Sequence, residues 1–151
     1  MEVVAAIDRA RGELDVLAHP FYQRWSAGLL SAEELAGYAA QYRHAVLAVA
    51  RASERAAQGA PPEHAEQLRE HAREEAEHVA LWERFAGATR AGLTPATRHV
   101  DSEPLPETRA CASAWTAGEH VLDHLAVLYA IEASQPAVSL TKLEGLAAHY
   151  G

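Results

Sequence analysis

Cysteine occurs once, at Cys111, which excludes an internal disulfide and fits a reducing compartment. Aromatic residues make up only 7% of the chain, and no segment reads as a β-hairpin. Ala-rich segments with few strand signals predict an all-α fold. No apolar run is long enough to cross a bilayer, which argues against a membrane protein. The opening residues, Met-Glu-Val-Val-Ala-Ala-Ile-Asp-Arg, lack the basic start and apolar stretch of a secretion signal. Positive charge is short as well: thirteen Lys plus Arg against twenty-one Asp plus Glu leave a net −8. The basic residues are scattered, so neither nucleic acid nor an anionic membrane is an expected partner. The expectation is a soluble, cytoplasmic protein. Its 151 residues suit a single domain, 1–151, with a real core.

What is present is helical periodicity. Leu68 to Phe85 has no Gly or Pro and is rich in strong helix formers. Successive residues about 100° apart put Leu68, Val79, Trp82, Phe85 and Ala86 on one side. His71, Glu75 and His78 fall inside that apolar arc, whereas Glu70, Glu74, Glu77 and Arg84 fall outside it. A carboxylate facing a core is costly unless something there needs it. A Glu–His hydrogen bond without a ligand is one explanation. The other is a metal half-site: Glu75 and His78 form Glu-x-x-His, the i, i+3 spacing with which carboxylate-bridged di-iron bundles aim an oxygen and an imidazole at one metal.

The flanking segments supply the rest of a bundle. Glu2 to Leu17 reads as a short amphipathic helix broken by His19-Pro20. Phe21, Tyr22 and Trp25 follow as an aromatic segment, with His19 read as a capping or packing residue. Ser31-Ala-Glu-Glu34 is a capping box that starts a helix running towards Gly59, with Gln41 and His44 expected at its surface. Gly59-Ala-Pro-Pro62 ends that helix and starts the central one, proline being tolerated in a first turn. Gly92 to Glu107 is the one long loop, a lid or active-site edge in prospect.

Thr108 to Ala133 reads as one helix with Cys111, Trp115, Gly118, Val121, Leu122, Leu125, Leu128 and Tyr129 on one face. Glu132 lies near the centre of that face, a second inward carboxylate on a second helix. His120 and His124 have the i, i+4 spacing of zinc-helix motifs but fall off the apolar face, so both are expected in solvent. Val138, Leu140, Leu143, Leu146 and Tyr150 mark a last helix.

Leu-x-His-Pro-Phe-Tyr-x-x-Trp at 17–25, Glu-Glu-x-x-His-Val-x-Leu-Trp-x-x-Phe around 74–85, and Leu-Tyr-Ala-Ile-Glu-x-x-x-Pro…Lys-x-x-Gly-Leu-x-x-His-Tyr-Gly from 128 to 151 carry a resemblance. The sequence resembles the haem-oxygenase-like superfamily, most of all its non-haem dimetal branch of iron-containing redox enzymes and TenA- or PqqC-like proteins. The resemblance covers nearly the whole chain and implies an antiparallel helical bundle. It implies iron, two ions in that branch, held by Glu75, His78 and Glu132. Glu74 stands in reserve for Glu75, and His71 is a further ligand or a partner to one. The implied activity is that of an oxygenase or oxidase using O2 on a small organic substrate.

Two departures qualify this. Tyr42 follows Gln41 where TenA thiaminases carry Asp, and Leu125 takes the likely position of their Cys, which argues against thiaminase chemistry. The dimetal branch also continues past Tyr-Gly into a helix bearing His-x-x-x-Asp-x-x-His, whereas this sequence stops before it. The expectation is therefore a bundle truncated at the C-terminus, with an apolar groove that a homodimer would cover. The alternatives are a metal-free helical binding or interaction protein on the same scaffold, or a cofactorless PqqC-like oxidase.

Overall fold

The computed structural model describes residues 2–95 and 103–151. Those residues form seven α-helices and no strand: α1 (Glu2–Glu13), α2 (Pro20–Ser26), α3 (Ala32–Gln58), α4 (Ala65–Ala91), α5 (Pro106–Trp115), α6 (Val121–Glu132) and α7 (Gln135–Gly145). A single 3-10 turn, Val16–Ala18, precedes α2, and a wider π-type turn, Leu146–Tyr150, follows α7. The all-α expectation holds. No helix among the described residues is long and apolar enough to cross a membrane. The part of the expected Gly92–Glu107 lid from 96 to 102 lies outside the described residues.

The chain divides into two compact units, one built from the residues up to Leu30 together with Tyr129–Gly151, the other from Ser31–Leu128. The larger unit is organised by the α3–α4 hairpin. Ser31 caps α3 by accepting from the Glu34 amide at 3.2 Å, while the Glu34 carboxylate accepts from the Ser31 amide at 2.8 Å, the expected capping box. Small residues on the inner face of α3, among them Ala36, Ala39, Ala40, Ala52 and Ala56, are fully buried and let the neighbouring helices approach closely. Their counterpart on α4 is the stripe Leu68, Val79, Trp82, Phe85 and Ala86, half-buried or buried throughout. Tyr42 and Trp82 pack with ring centroids 4.7 Å apart, and Trp82 meets Phe85 at 5.1 Å. α4 begins at Ala65, so Pro61 and Pro62 lie in the turn before it rather than in its first turn.

The segment expected to be one helix from 108 to 133 is two. α5 ends at Trp115, and α6 restarts at Val121 after a break spanning Thr116–His120. Asp123 nucleates the restart: its carboxylate accepts from the amides of Glu119 and His120 at 3.2 and 3.0 Å, which holds its pKa below the usual carboxylate value. The break resets the helical phase. The face projected through it therefore fails at several positions, leaving Cys111 exposed and Leu122 73% exposed. His124, expected in solvent, is only 4% exposed. Gln41 is also not a simple surface residue: its side chain donates to the Glu103 carbonyl and accepts from the Leu105 amide, both at 2.9 Å.

In the smaller unit, His19 caps α2 by accepting from the Phe21 amide at 3.1 Å, as its place before proline suggests. Tyr22 and Trp25 on α2 are buried. The last turn is strapped to the same segment. The Tyr150 hydroxyl accepts from the Leu30 amide at 3.1 Å and donates to the Trp25 carbonyl at 3.3 Å. The His149 ring lies against Gly28, whose φ of +68° and lack of Cβ admit it.

Candidate metal-binding helix and a buried amine

The half-buried stripe of α4 contains His71 and Glu75 along with its apolar residues, whereas His78, the third polar residue expected inside the apolar arc, is exposed. Helical spacing of four residues stacks His71 and Glu75 one above the other. Each offers a donor atom, an imidazole nitrogen and a carboxylate oxygen, and these lie within 4.8 Å of one another. The Glu75 side chain is 14% exposed and its Oε1 meets His78 Nδ1 at 3.1 Å. The His78 ring is 53% exposed, so it borders the stripe, one turn further on, and reaches Glu75 from the rim. Glu74 is exposed, off this stripe. Glu132 is half-buried as the last residue of α6 and belongs to the smaller unit.

Imidazole and carboxylate donors of this kind suit iron, manganese or zinc. A carboxylate that is mostly buried, with one neutral or charged imidazole beside it, fits a divalent cation better than it fits an apolar core. The residues of α4 thus fit the metal that the resemblance implies.

Cys111 offers no rival chemistry. Its thiol is exposed, and partial desolvation pushes its pKa up, away from the reactive thiolate. An open cleft of about 780 Å3 between α3 and α4 is lined by residues such as Leu47, Arg51, Arg69 and Arg73 and includes none of the predicted ligands. Arg69 and Arg73 are held there by Glu66 and Glu70, their neighbours on α4.

The sequence reading passed over Lys142. It is the only lysine in the chain; every other cationic side chain of the Lys and Arg set is arginine. It lies on α7, and burial pulls its ammonium down from the ordinary 10.5 to about 8. An amine in that range keeps a neutral fraction at neutral pH and can accept a proton or attack an electrophile. The signal was in the composition: a chain that uses arginine throughout places its one lysine in a helix with apolar neighbours.

Seven helices among the described residues, with a Glu–His cluster on one long helix, fit an all-α, haem-oxygenase-like class. The TENA/THI-4/PQQC family profile matches residues 8–148, and the chain belongs to this family. It is similar to the 4-aminobenzoate synthase of Nitrosomonas europaea, with 32% identity over 90% of this chain and 61% of that protein. The 4-aminobenzoate synthase of Chlamydia muridarum is 27% identical over 90% of this chain and 60% of its own length. That of Chlamydia trachomatis serovar D is also 27% identical, over 90% and 61%. The chain thus spans about three-fifths of the length of these curated relatives.

Proposed function

We propose that this chain is an iron-dependent oxidase or oxygenase that uses O2 on a small organic substrate, with 4-aminobenzoate as its product. The pairing of His71 with the mostly buried Glu75 on the inward stripe of α4 carries the reading. The names of the relatives suggest the product. The proposed ligands are Glu75 and the histidines one turn to either side of it, His71 and His78, together with Glu132. Bound iron supplies redox and O2 chemistry that amino-acid side chains lack.

The chain's own residues have separable roles. Glu75 presents carboxylate oxygens, and its contact with His78 Nδ1 fixes the orientation of that ring. Trp82 and Phe85 pack together further along the same stripe, beyond Val79. Lys142 holds or gives up a proton near neutral pH, the property wanted of a group that must act as acid and base in one cycle. The partners are a small molecule and O2, without nucleic acid or membrane, in the cytoplasm. A homodimer is part of the proposal: Leu140 and Leu143 on α7 are 57% and 64% exposed, and Val3 on α1 is 65% exposed.

The test is metal analysis of protein purified without chelator, followed by mass spectrometry for 4-aminobenzoate after aerobic incubation with ferrous iron and reductant. Iron bound in the unmodified chain and lost from Glu75→Ala and His71→Ala supports the reading. A folded chain that takes up no metal overturns it. Light scattering on the same sample reads the dimer.

A further inference from the structure

We propose that Trp25 is a positioning residue for Lys142: its indole holds the backbone of α7 at Lys142 through a hydrogen bond that only a glycine at 145 permits. This rests on the reading of Lys142 as an acid–base group in the proposed function.

The contact is built from both sides. Trp25 is 1% exposed, so its N–H must find an acceptor inside the smaller unit. That acceptor is the Lys142 carbonyl, 3.3 Å from Nε1. The same carbonyl already accepts from the Leu146 amide at the end of α7, so its second lone pair serves the indole. A Cβ at Gly145 would collide with Trp25 Nε1 and Cδ1. No side chain can occupy that position without moving the indole. Tyr150 closes the ring's other side at a centroid distance of 5.5 Å, and its hydroxyl is fixed to the Trp25 carbonyl.

The position along the helix gives the contact its purpose. The α-winding of α7 ends at Gly145 and the wider turn Leu146–Tyr150 begins there, where helical register is easiest to shift. An indole clamped at this junction fixes how far α7 slides and rotates against α2. That sets how deep the Lys142 stem is buried. The ionisable or charged groups on the elements packed against α7 are Tyr22 and Arg24 of α2 with its cap His19, and His149 and Tyr150 of the last turn, with Glu144 on α7 itself. Arg24 is engaged with the Leu29 carbonyl at 2.8 Å, and His149 Nε2 lies 3.2 Å from the Ser26 carbonyl.

Because Lys142 is the only lysine, trace acetylation with acetic anhydride reads it against a single internal reference, the α-amine. The reaction is followed from pH 6 to 11 by peptide mass spectrometry on the unmodified chain, Trp25→Phe and Gly145→Ala, with helix content checked by circular dichroism. The unmodified chain should show a Lys142 midpoint near 8. Both variants should move it towards the ordinary value, cutting Lys142 labelling at pH 7.5 relative to the α-amine by at least about tenfold, since one pKa unit is a tenfold change in neutral amine. Gly145→Ala attacks the contact from the other helix, so an unfolded Trp25→Phe leaves the test standing. A midpoint near 10.5 in the unmodified chain overturns the reading of Lys142 as an acid–base group. A low midpoint that survives in a folded variant overturns the positioning role of Trp25 alone.

Discussion

Trp82 donates its indole N–H to the carbonyl oxygen of Ala39 at 2.7 Å, joining α4 to α3. The ring that makes this bond also contacts Tyr38, Tyr42 and Phe85, with centroids 5.8, 4.7 and 5.1 Å away. Packing and polarity can therefore be separated by substitution. Trp82→Phe keeps most of the packing but loses the bond, and should cost about 1 kcal/mol in urea unfolding. Trp82→Ala should cost roughly 3–5 kcal/mol. Equal losses in the two variants would show that the hydrogen bond, not the ring, joins the hairpin.

His124 presents the opposite case, a buried polar side chain whose Nδ1 has no hydrogen-bond partner. An unsatisfied buried nitrogen costs free energy that an apolar side chain of similar volume avoids. His124→Leu should raise stability by about 1 kcal/mol, read from the urea midpoint at pH 7. His120, one turn earlier and exposed, should be indifferent to Gln within about 0.5 kcal/mol. A large loss from His124→Leu would mean that the ring serves a ligand or water.

Gln41 ties residues 103–105 to α3 with both ends of its amide. Its loss frees the Leu105 amide while leaving the helix that carries Gln41 intact. Gln41→Ala should raise hydrogen exchange at Leu105 by about tenfold, the effect of one bond of about 1.4 kcal/mol to local opening. Unchanged exchange there would assign the anchoring of this segment to the start of α5.

Much of this was legible in the residues. The capping box at Ser31, the cap at His19 and the inward stripe of α4 all depend on neighbours within one turn, so spacing alone predicts them. Gln41 was misplaced because its partners at 103–105 lie far away in sequence, and His124 because the break at 116–120 resets the helical phase. The break at 116–120 carries no proline. Thr116-Ala-Gly118 can be threaded by a helical projection, and only the capping of the restart by Asp123 betrays it. Glu75 drew attention because an acid stands out on an apolar face. Lys142 did not, because a long aliphatic stem blends into one.

The burial of Lys142 also fixes a pH dependence of stability. Its native pKa of about 8 lies below the unfolded 10.5, so between these values the unfolded chain holds a proton that the native chain has lost. Stability from this group is lowest below pH 8, where the native state must bury a charge, and rises until about pH 10.5. Tyr129 acts in the opposite sense at the top of that range, because its bond to Asp8 at 2.9 Å raises the phenol's pKa and its proton is retained longer in the native state. Comparison with Lys142→Met cancels the tyrosine, which both chains share. The variant should be the more stable of the two at pH 7, and its advantage should shrink by up to about 3 kcal/mol as pH passes from 8 to 10.5. Parallel stability curves across that window, from urea titrations at each pH, would show that the amine reaches water in the native chain. The acetylation midpoint would then have to lie near that of a free lysine.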